Sequence, residues 1–510
     1  MLLNVKYAEI GQFTLVNSAK KKYNIKCINM IKSSSFALFY HKNYLNGGNC
    51  MSDSISTLAE LKAASQTPTA ARNRLTYLFD EGKFTELDAY AAAGDSLAGV
   101  ITAFGYVEGN PVYAFSQDVT VKDGALTEAQ AKKIAKVYDL AAKTGVPVVG
   151  IFDSYGADVS DGSKALNAYG ELLMWTSNLS GVVPQIAVVA GTCAGCAAML
   201  AESADFTVIA KDAELYVAPN ANIKNSAENA AENGTAAVVC EDDKAAVEAA
   251  KNILTKLPQN NLSPVPMYEF ADPTEAVGDD AEGIAKAVCD GDSVTELNAE
   301  YGKASYTALA TLGGATVGVV ATNKTGNKLT SADCSKIARF VRTCDAYAIP
   351  VVTFVDTEGF KADDETEAYG AVKDMAKLCH AYAEATTIKL AVVTGKAYGP
   401  AFIALAGKGS NADLSFALDT AVISALAPVT AVEFLQHDEL KGAADLTAAR
   451  NTLADKFAKE NASAAVAAKN GCVDGIIAKN EIRQTLMDSI EVMAGKRISR
   501  LPKKHSNIQL

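Results

Sequence analysis

The chain is poor in the residues that most catalytic and binding motifs are made from. It has one Trp and four His in 510 residues, and aromatic side chains make up 7%. The histidines at 41, 380, 437 and 505 fall in no nucleophile or metal-ligand pattern. There is no Gly-x-Ser-x-Gly elbow, no Walker phosphate loop and no strand-linked dinucleotide fingerprint. Basic charge is also short. A net charge of −12 argues against a nucleic-acid partner, which would need a basic patch. No apolar run approaches the ~18 residues of a membrane helix. Ten cysteines are scattered along the chain, and only Cys193 and Cys196 have ligand-like spacing. No second pair completes a zinc tetrahedron, so no metal is expected, and the plain reading is a reducing, cytoplasmic compartment.

What is present is apolar and small. The 49% hydrophobic content and abundant alanine describe a closely packed globular chain with room for two or three domains. Residues 1–50 do not fit that description. They hold seven Lys, seven Asn and one Glu, at +6, which leaves −18 for the remainder. A targeting presequence would be rich in Arg, and this stretch has none. Residues 1–50 are therefore expected to be a non-native or disordered leader. Met51 is the expected start, because Gly47-Gly48-Asn49 can be encoded by a purine-rich, ribosome-binding-like stretch just before it.

The remainder is written twice. "KIAKVYDLAAKTGVPVVGIFDSYGAD" (133–158) aligns without a gap to "KIARFVRTCDAYAIPVVTFVDTEGFK" (336–361), at an offset of 203. Pro147 meets Pro350, Asp153 meets Asp356 and Gly156 meets Gly359. Further on, Gly191 and Gly195 of "GTCAGCAAM" meet Gly395 and Gly399 of "GKAYGPAFI" at an offset of 204. The segment "LPQNNLSPVPMYEFADPTEAVGDD", rich in Pro, Asn and acid, separates the copies. The expected organisation is a first domain over 51–262, a linker over 263–284 and a second domain over 285–510. In each copy an amphipathic helix leads into a buried, β-branched strand and an acidic-glycine turn. A second helix–strand pair then ends in a small-residue turn. Such alternation predicts an α/β architecture with covered sheets.

Small residues at a strand-to-helix turn let a ligand approach the main chain. Two N–H donors there can hold a carbonyl oxygen that gains negative charge during reaction. The first-copy candidates are Gly195 and Cys196, with Gly156 and Ala157 from the neighbouring turn. The second-copy candidates are around Gly399 and Ala401, with Gly359 and Phe360 beside them. Such turns also serve simply for tight strand–helix packing, but two equivalent pairs favour the binding reading. The repeat argues against a redox or metal role for Cys193 and Cys196, because their counterparts are Ala397 and Pro400. With no acid–base dyad in evidence, the chemistry suits a substrate that brings its own base.

On these residues the chain resembles a known family, the carboxyltransferase subunits of biotin-dependent acyl-CoA carboxylases and decarboxylases. The pieces that carry the resemblance include "ARNRLTYLFDEGKFTELD", "SGVVPQIAVVAGTCAGCAAM", "AYAEATTIKLAVVTGKAYGPAF" and the terminal "LPKKHSNIQL". The resemblance implies two tandem crotonase-like domains of the ββα superhelix type, related by internal duplication. It implies that the first domain binds acyl-CoA through Tyr155, Gly156, Ala157 and Ala194, with Gly195 and Cys196 holding the thioester oxygen. It implies that the second binds biotin through Gly359, Phe360, Tyr398 and Pro400, with Gly399 and Ala401 at the ureido oxygen. The biotin would arrive on a separate carrier protein, since the chain lacks a Met-Lys-Met biotinylation motif and an ATP loop. Implied partners are that carrier, a biotin carboxylase or a sodium-pumping membrane subunit, and further copies of the chain as a dimer or hexamer.

Three departures bear on this expectation. The family's "SGGAR" is "SYGAD" here, placing Tyr155 and Asp158 where Gly and Arg are usual. "CAGGA" is "CAGCA", which keeps the amide. "KAYGGA" is "KAYGPA", and Pro400 has no N–H to give. Two other readings stay open from sequence. One is a crotonase-type acyl-CoA hydratase or hydrolase using Asp158 or Glu202. The other is a non-catalytic structural subunit with a dead second site.

Overall fold

The computed structural model describes residues 58–93, 96–219, 225–498 and 501–509. The expected leader at 1–50 and the start at Met51 lie outside the described residues.

Alternating β-branched and amphipathic runs build the same layered arrangement twice. In the first copy β1 (Phe84–Leu87) is followed by a small hairpin, β2 (Ala92–Ala93) and β3 (Ser96–Leu97). Then come β4 (Val100–Val107), β5 (Asn110–Gln117), β6 (Val148–Ser154), β7 (Gln185–Ala194), β8 (Phe206–Ala210), β9 (Glu214–Tyr216) and β10 (Val238–Cys240). The sheet runs β1-β4-β5-β6-β7-β8-β10, and β9 pairs with the outer end of β7.

The second copy supplies β11 (Thr295–Leu297), β12 (Ser305–Leu312), β13 (Ala315–Thr322), β14 (Val351–Thr357) and β15 (Lys389–Tyr398). It is completed by β16 (Leu414–Leu418), β17 (Val422–Ser424) and β18 (Gly475–Ile477). Its order, β11-β12-β13-β14-β15-β16-β18 with β17 on β15, is that of the first sheet. In both, the leading strands pair antiparallel and the later ones parallel.

The parallel strands carry apolar residues on both faces, as strands buried on both sides do. All seven residues of β6 are buried, as are six of the seven in β14. The helix Glu128–Thr144 starts at Thr127, whose hydroxyl accepts the Gln130 N–H at 3.3 Å, and ends at Gly145 with φ 66°. Its counterpart Ser331–Ala346 starts with a reciprocal Thr330–Asp333 capping box. Each buries a lysine at the same repeat position. Lys133 Nζ donates to the Val100 carbonyl at 2.7 Å, and Lys336 Nζ to the Ser305 carbonyl at 2.9 Å. The two copies touch through Tyr347, whose hydroxyl lies 2.9 Å from the Val183 carbonyl and 2.7 Å from the Asp205 carboxylate. Within the segment read as a linker, Tyr268 N–H donates to Gly314 O at 2.9 Å, and the helix Ala281–Val288 begins.

Candidate functional site: paired turns at the strand ends

In each copy two neighbouring parallel strands lose register at their outer ends, between Phe152 and Ser154 on β6 and between Val355 and Thr357 on β14. An aspartate at each shift crosses to the next strand. Asp356 accepts the Lys396 N–H and the Asn323 side-chain amide, both at 2.8 Å. Asp153 accepts Arg74 Nη1 at 2.8 Å, while the same guanidinium donates to Asp243 at 2.8 Å and to the Ala190 carbonyl at 3.1 Å. Burial raises the Asp153 carboxyl above its usual range, and Arg74 pulls it back. The carboxylates lie flat against Gly191 and Gly395, where a Cβ would collide with them. This explains the repeat pairing of aspartate with glycine: each pair pins a strand extension that carries a turn.

The turn glycines share one backbone conformation. Gly195 has φ 60° and ψ −123°, and Gly399 has φ 56° and ψ −134°. They lead into the helices Cys196–Glu202 and Pro400–Ala406. The expectation that Gly195 and Gly399 donate to a ligand is corrected by the structure. Gly195 N–H is bonded to the Tyr216 carbonyl and Gly399 N–H to the Ser424 carbonyl, each at 2.9 Å. The short strands β9 and β17 fold back beside the strand extensions and take these donors. By contrast, the N–H groups of Cys196 and Ala401 have no partner among the described residues. Pro400, at the first helical position, has none to offer, and its fixed φ suits that position.

The second turn of each pair completes the arrangement. Gly156 (φ 100°) and Gly359 (φ 108°) occupy backbone conformations that side-chain-bearing residues rarely adopt. Gly156 N–H donates to Ser154 Oγ at 3.1 Å, and Gly359 N–H to Thr357 Oγ1 at 3.2 Å. Leu126 then brackets the next residue, giving its N–H to Gly156 O at 2.8 Å and accepting Asp158 N–H at 3.0 Å. A parallel bridge of this kind turns the bracketed residue's own N–H to the opposite side. Leu329 does the same around Phe360, at 2.9 and 2.7 Å. The amides of Ala157 and Phe360 are unpartnered among the described residues. A Cβ on Gly156 would sit 2.9 Å from the Ala194 carbonyl, so the two turns of the first copy are in contact.

The unpartnered amides of Ala157 and Cys196, and those of Phe360 and Ala401, thus lie on adjoining turns. Ala194 and Tyr398 are buried at the strand ends, where they support the turns, and Tyr155 is 45% exposed beside the first pair. The two carboxylates considered for acid–base work are placed differently: Asp158 directly follows Ala157, and Glu202 lies six residues past Cys196. Asp158 is ion-paired to Lys122 and accepts Ser160 N–H at 2.8 Å. Although burial opposes it, Lys122 and Ser160 hold the Asp158 carboxyl below the usual range. Glu202 ends the helix that Cys196 starts, six residues and about 9 Å along its axis. Cys193 is fully buried, which pushes its thiol up and leaves it packed in the core. Sequence reasoning missed Ser154, Thr357, Arg74 and Lys122. The first two carry a signal, a hydroxyl two residues before each repeat glycine.

Comparisons with known proteins agree with this architecture. The family described as Carboxyl transferase domain matches residues 63–508. The methylmalonyl-CoA decarboxylase subunit alpha of Propionigenium modestum is 35% identical over 485 residues, covering 86% of this chain and 93% of that one. The propionyl-CoA carboxylase carboxyltransferase subunit of Haloferax mediterranei is 34% identical, with coverage of 86% and 93%. A crystal structure of transcarboxylase 12S, described as a hexamer with hydrolysed methylmalonyl-coenzyme A bound, superposes with a TM-score of 0.82. It is 31% identical, with 89% of this chain and 95% of that one covered. The chain belongs to the carboxyl transferase domain family, with the two-domain crotonase-type fold of transcarboxylase 12S.

Proposed function

We propose that the chain is the carboxyltransferase component of a biotin-dependent acyl-CoA carboxylase or decarboxylase. Its reaction moves a carboxyl group at the α carbon of a short acyl-CoA of the propionyl/methylmalonyl type. The names of its relatives support that substrate class. The observation that carries the reading is the pair of equivalent turns, each presenting amides that are unpartnered among the described residues.

In the first copy, Ala157 and Cys196 N–H hold the thioester oxygen as the α carbon becomes nucleophilic. Preformed donors that need no reorganisation favour the enolate over the neutral thioester. Tyr155 and Ala194 line the approach. In the second copy, Phe360 and Ala401 N–H fit a single ureido oxygen, and Gly399 shapes the turn without donating. Pro400 removes the donor that Cys196 supplies in the first copy, so the two sites are tuned differently. Biotin, when delivered by its carrier, supplies both the carboxyl group and the base that the chain lacks. Lys396 and Glu358, paired at 2.7 Å, bridge the two turns at the mouth of this second site.

Apolar residues are exposed around both mouths: Tyr155, Met199 and Val217 at the first, Ile403 and Leu426 at the second. These rims suit burial against another copy of the chain, with the first site of one protomer facing the second site of its partner. Partners are a biotin carrier and either a biotin carboxylase or a decarboxylase membrane subunit. Among the described residues no helix is long and apolar enough to cross a membrane. We place the chain's own work in the cytoplasm.

The test is decarboxylation of malonyl- and methylmalonyl-CoA with and without free biotin. Turnover that requires biotin supports the proposal. Turnover without it would point to a hydrolase-type enzyme, and none with any acyl-CoA to a structural subunit.

A further inference from the structure

We infer that the hydroxyls of Ser154 and Thr357 are positioning groups, each setting the direction of the amide three residues on. This role rests on Ala157 and Phe360 acting as donors in the way proposed above.

Both side chains are completely buried, at the ends of strands whose interiors are mostly apolar. Burying a hydroxyl costs free energy unless it is hydrogen-bonded, and alanine or valine would satisfy packing alone. Each hydroxyl instead closes a small ring with the glycine two residues on. Ser154 Oγ lies 3.1 Å from Gly156 N and 3.4 Å from Gly156 O. Thr357 Oγ1 lies 3.2 Å from both Gly359 N and Gly359 O. Thr357 Oγ1 is also 2.8 Å from the Asn327 carbonyl, and the buried Tyr169 phenol lies beside Ser154.

The placement explains why a hydroxyl is needed. Ser154 and Thr357 are the last residues of their strands paired with the neighbour, opposite Cys193 and Ala397, so the glycine two residues on has no ladder carbonyl for its N–H. A buried N–H without an acceptor is costly. Rotating the peptide would relieve it, but the same rotation would swing the following N–H out of the cleft. The hydroxyl satisfies the glycine in its positive-φ conformation, and Leu126 or Leu329 holds its carbonyl. The next amide is then left unpaired and fixed in direction. Ser154 governs only Ala157, and Thr357 governs only Phe360.

The variants Ser154→Ala, Ser154→Thr, Thr357→Val and Thr357→Ser separate positioning from packing. Thr357→Val keeps the shape and loses the hydroxyl, and the Thr and Ser swaps keep the hydroxyl. Hydrogen exchange read by mass spectrometry on the full-length protein gives the first readout. Ser154→Ala should speed exchange only in peptides covering Gly156, and Thr357→Val only in those covering Gly359. Biotin-dependent decarboxylation of methylmalonyl-CoA gives the second. Each hydroxyl-free variant should lose about ten- to a hundred-fold in kcat, as expected for a displaced reacting group. KM for methylmalonyl-CoA should stay within about threefold, and the hydroxyl-keeping swaps should recover kcat. Unchanged exchange in both hydroxyl-free variants overturns the inference. So does a loss of kcat shared equally by the hydroxyl-keeping swaps, which is the mark of a packing role. If the parent protein shows no biotin-dependent turnover, the functional proposal fails, while exchange still decides the role of the hydroxyls.

Discussion

Replacing Cys196 with proline transplants into the first copy the residue that the second copy already carries at the same turn. The perturbation removes one N–H and little else. Gly195 and Gly399 differ by only a few degrees in φ and by about ten in ψ, so the backbone that accepts Pro400 is the backbone Cys196 sits on. Proline at the first helical position costs no helix hydrogen bond, since that N–H has no intrahelical acceptor. The Cys196 N–H has no partner among the described residues, so its loss orphans no carbonyl. If that N–H holds the thioester oxygen in the enolate, kcat should fall by about 10²- to 10³-fold, equivalent to about 3–4 kcal/mol. Thermal stability should change little. Cys196→Ala, which deletes the thiol and keeps the amide, should stay within about threefold of the parent. The assay is decarboxylation of methylmalonyl-CoA at saturating free biotin, with a thermal melt on each variant. A proline variant that melts normally and turns over like the parent refutes the reasoning. An alanine variant as impaired as the proline one would move the role from the amide to the sulfur.

Other consequences follow from the same geometry. Gly156→Ala places a Cβ 2.9 Å from the Ala194 carbonyl at φ 100°, so about 1–3 kcal/mol of stability should be lost in urea titration. Arg74→Met leaves the Asp153 carboxylate buried without its cation. It should destabilise by about 3–5 kcal/mol, more than a surface arginine would. Burial, helped by Lys324, pushes Lys336 from 10.5 down to about 8. Below pH 8 both folded and unfolded states hold its proton. Between about 8 and 10.5 the folded state has released it and the unfolded state has not, so this residue makes stability rise with pH there. Denaturation of Lys336→Met should lack that rise.

Much of the fold could be read in advance because the chain repeats itself. An offset of 203 across 26 residues is too regular to arise from composition, and each copy shows which features the other requires. The aspartate–glycine pairs, the β-branched strands and the turn glycines all appear at matching positions. The donor assignment was less legible. Glycine spacing marks where the main chain can be approached, but it does not say which N–H is free. That depends on β9 and β17, three-residue strands whose pairing with the ends of β7 and β15 leaves no periodic trace. Ala157 and Phe360 stood among the candidates, but that their N–H groups are the unpartnered ones shows only through bridges to Leu126 and Leu329, about thirty residues earlier in the chain. Asp158 stood as a candidate acid–base group because nothing near it in sequence foretells its pairing with Lys122, 36 residues away.

The most direct measurement is a crystal structure with a stable acyl-CoA analogue that carries an enolate-like oxygen. The account predicts that oxygen within about 2.7–3.1 Å of both Ala157 N and Cys196 N, the spacing of a working oxyanion pair. An analogue bound with its oxygen away from these amides, or a turn whose Cys196 N–H has closed onto a protein carbonyl, would contradict it.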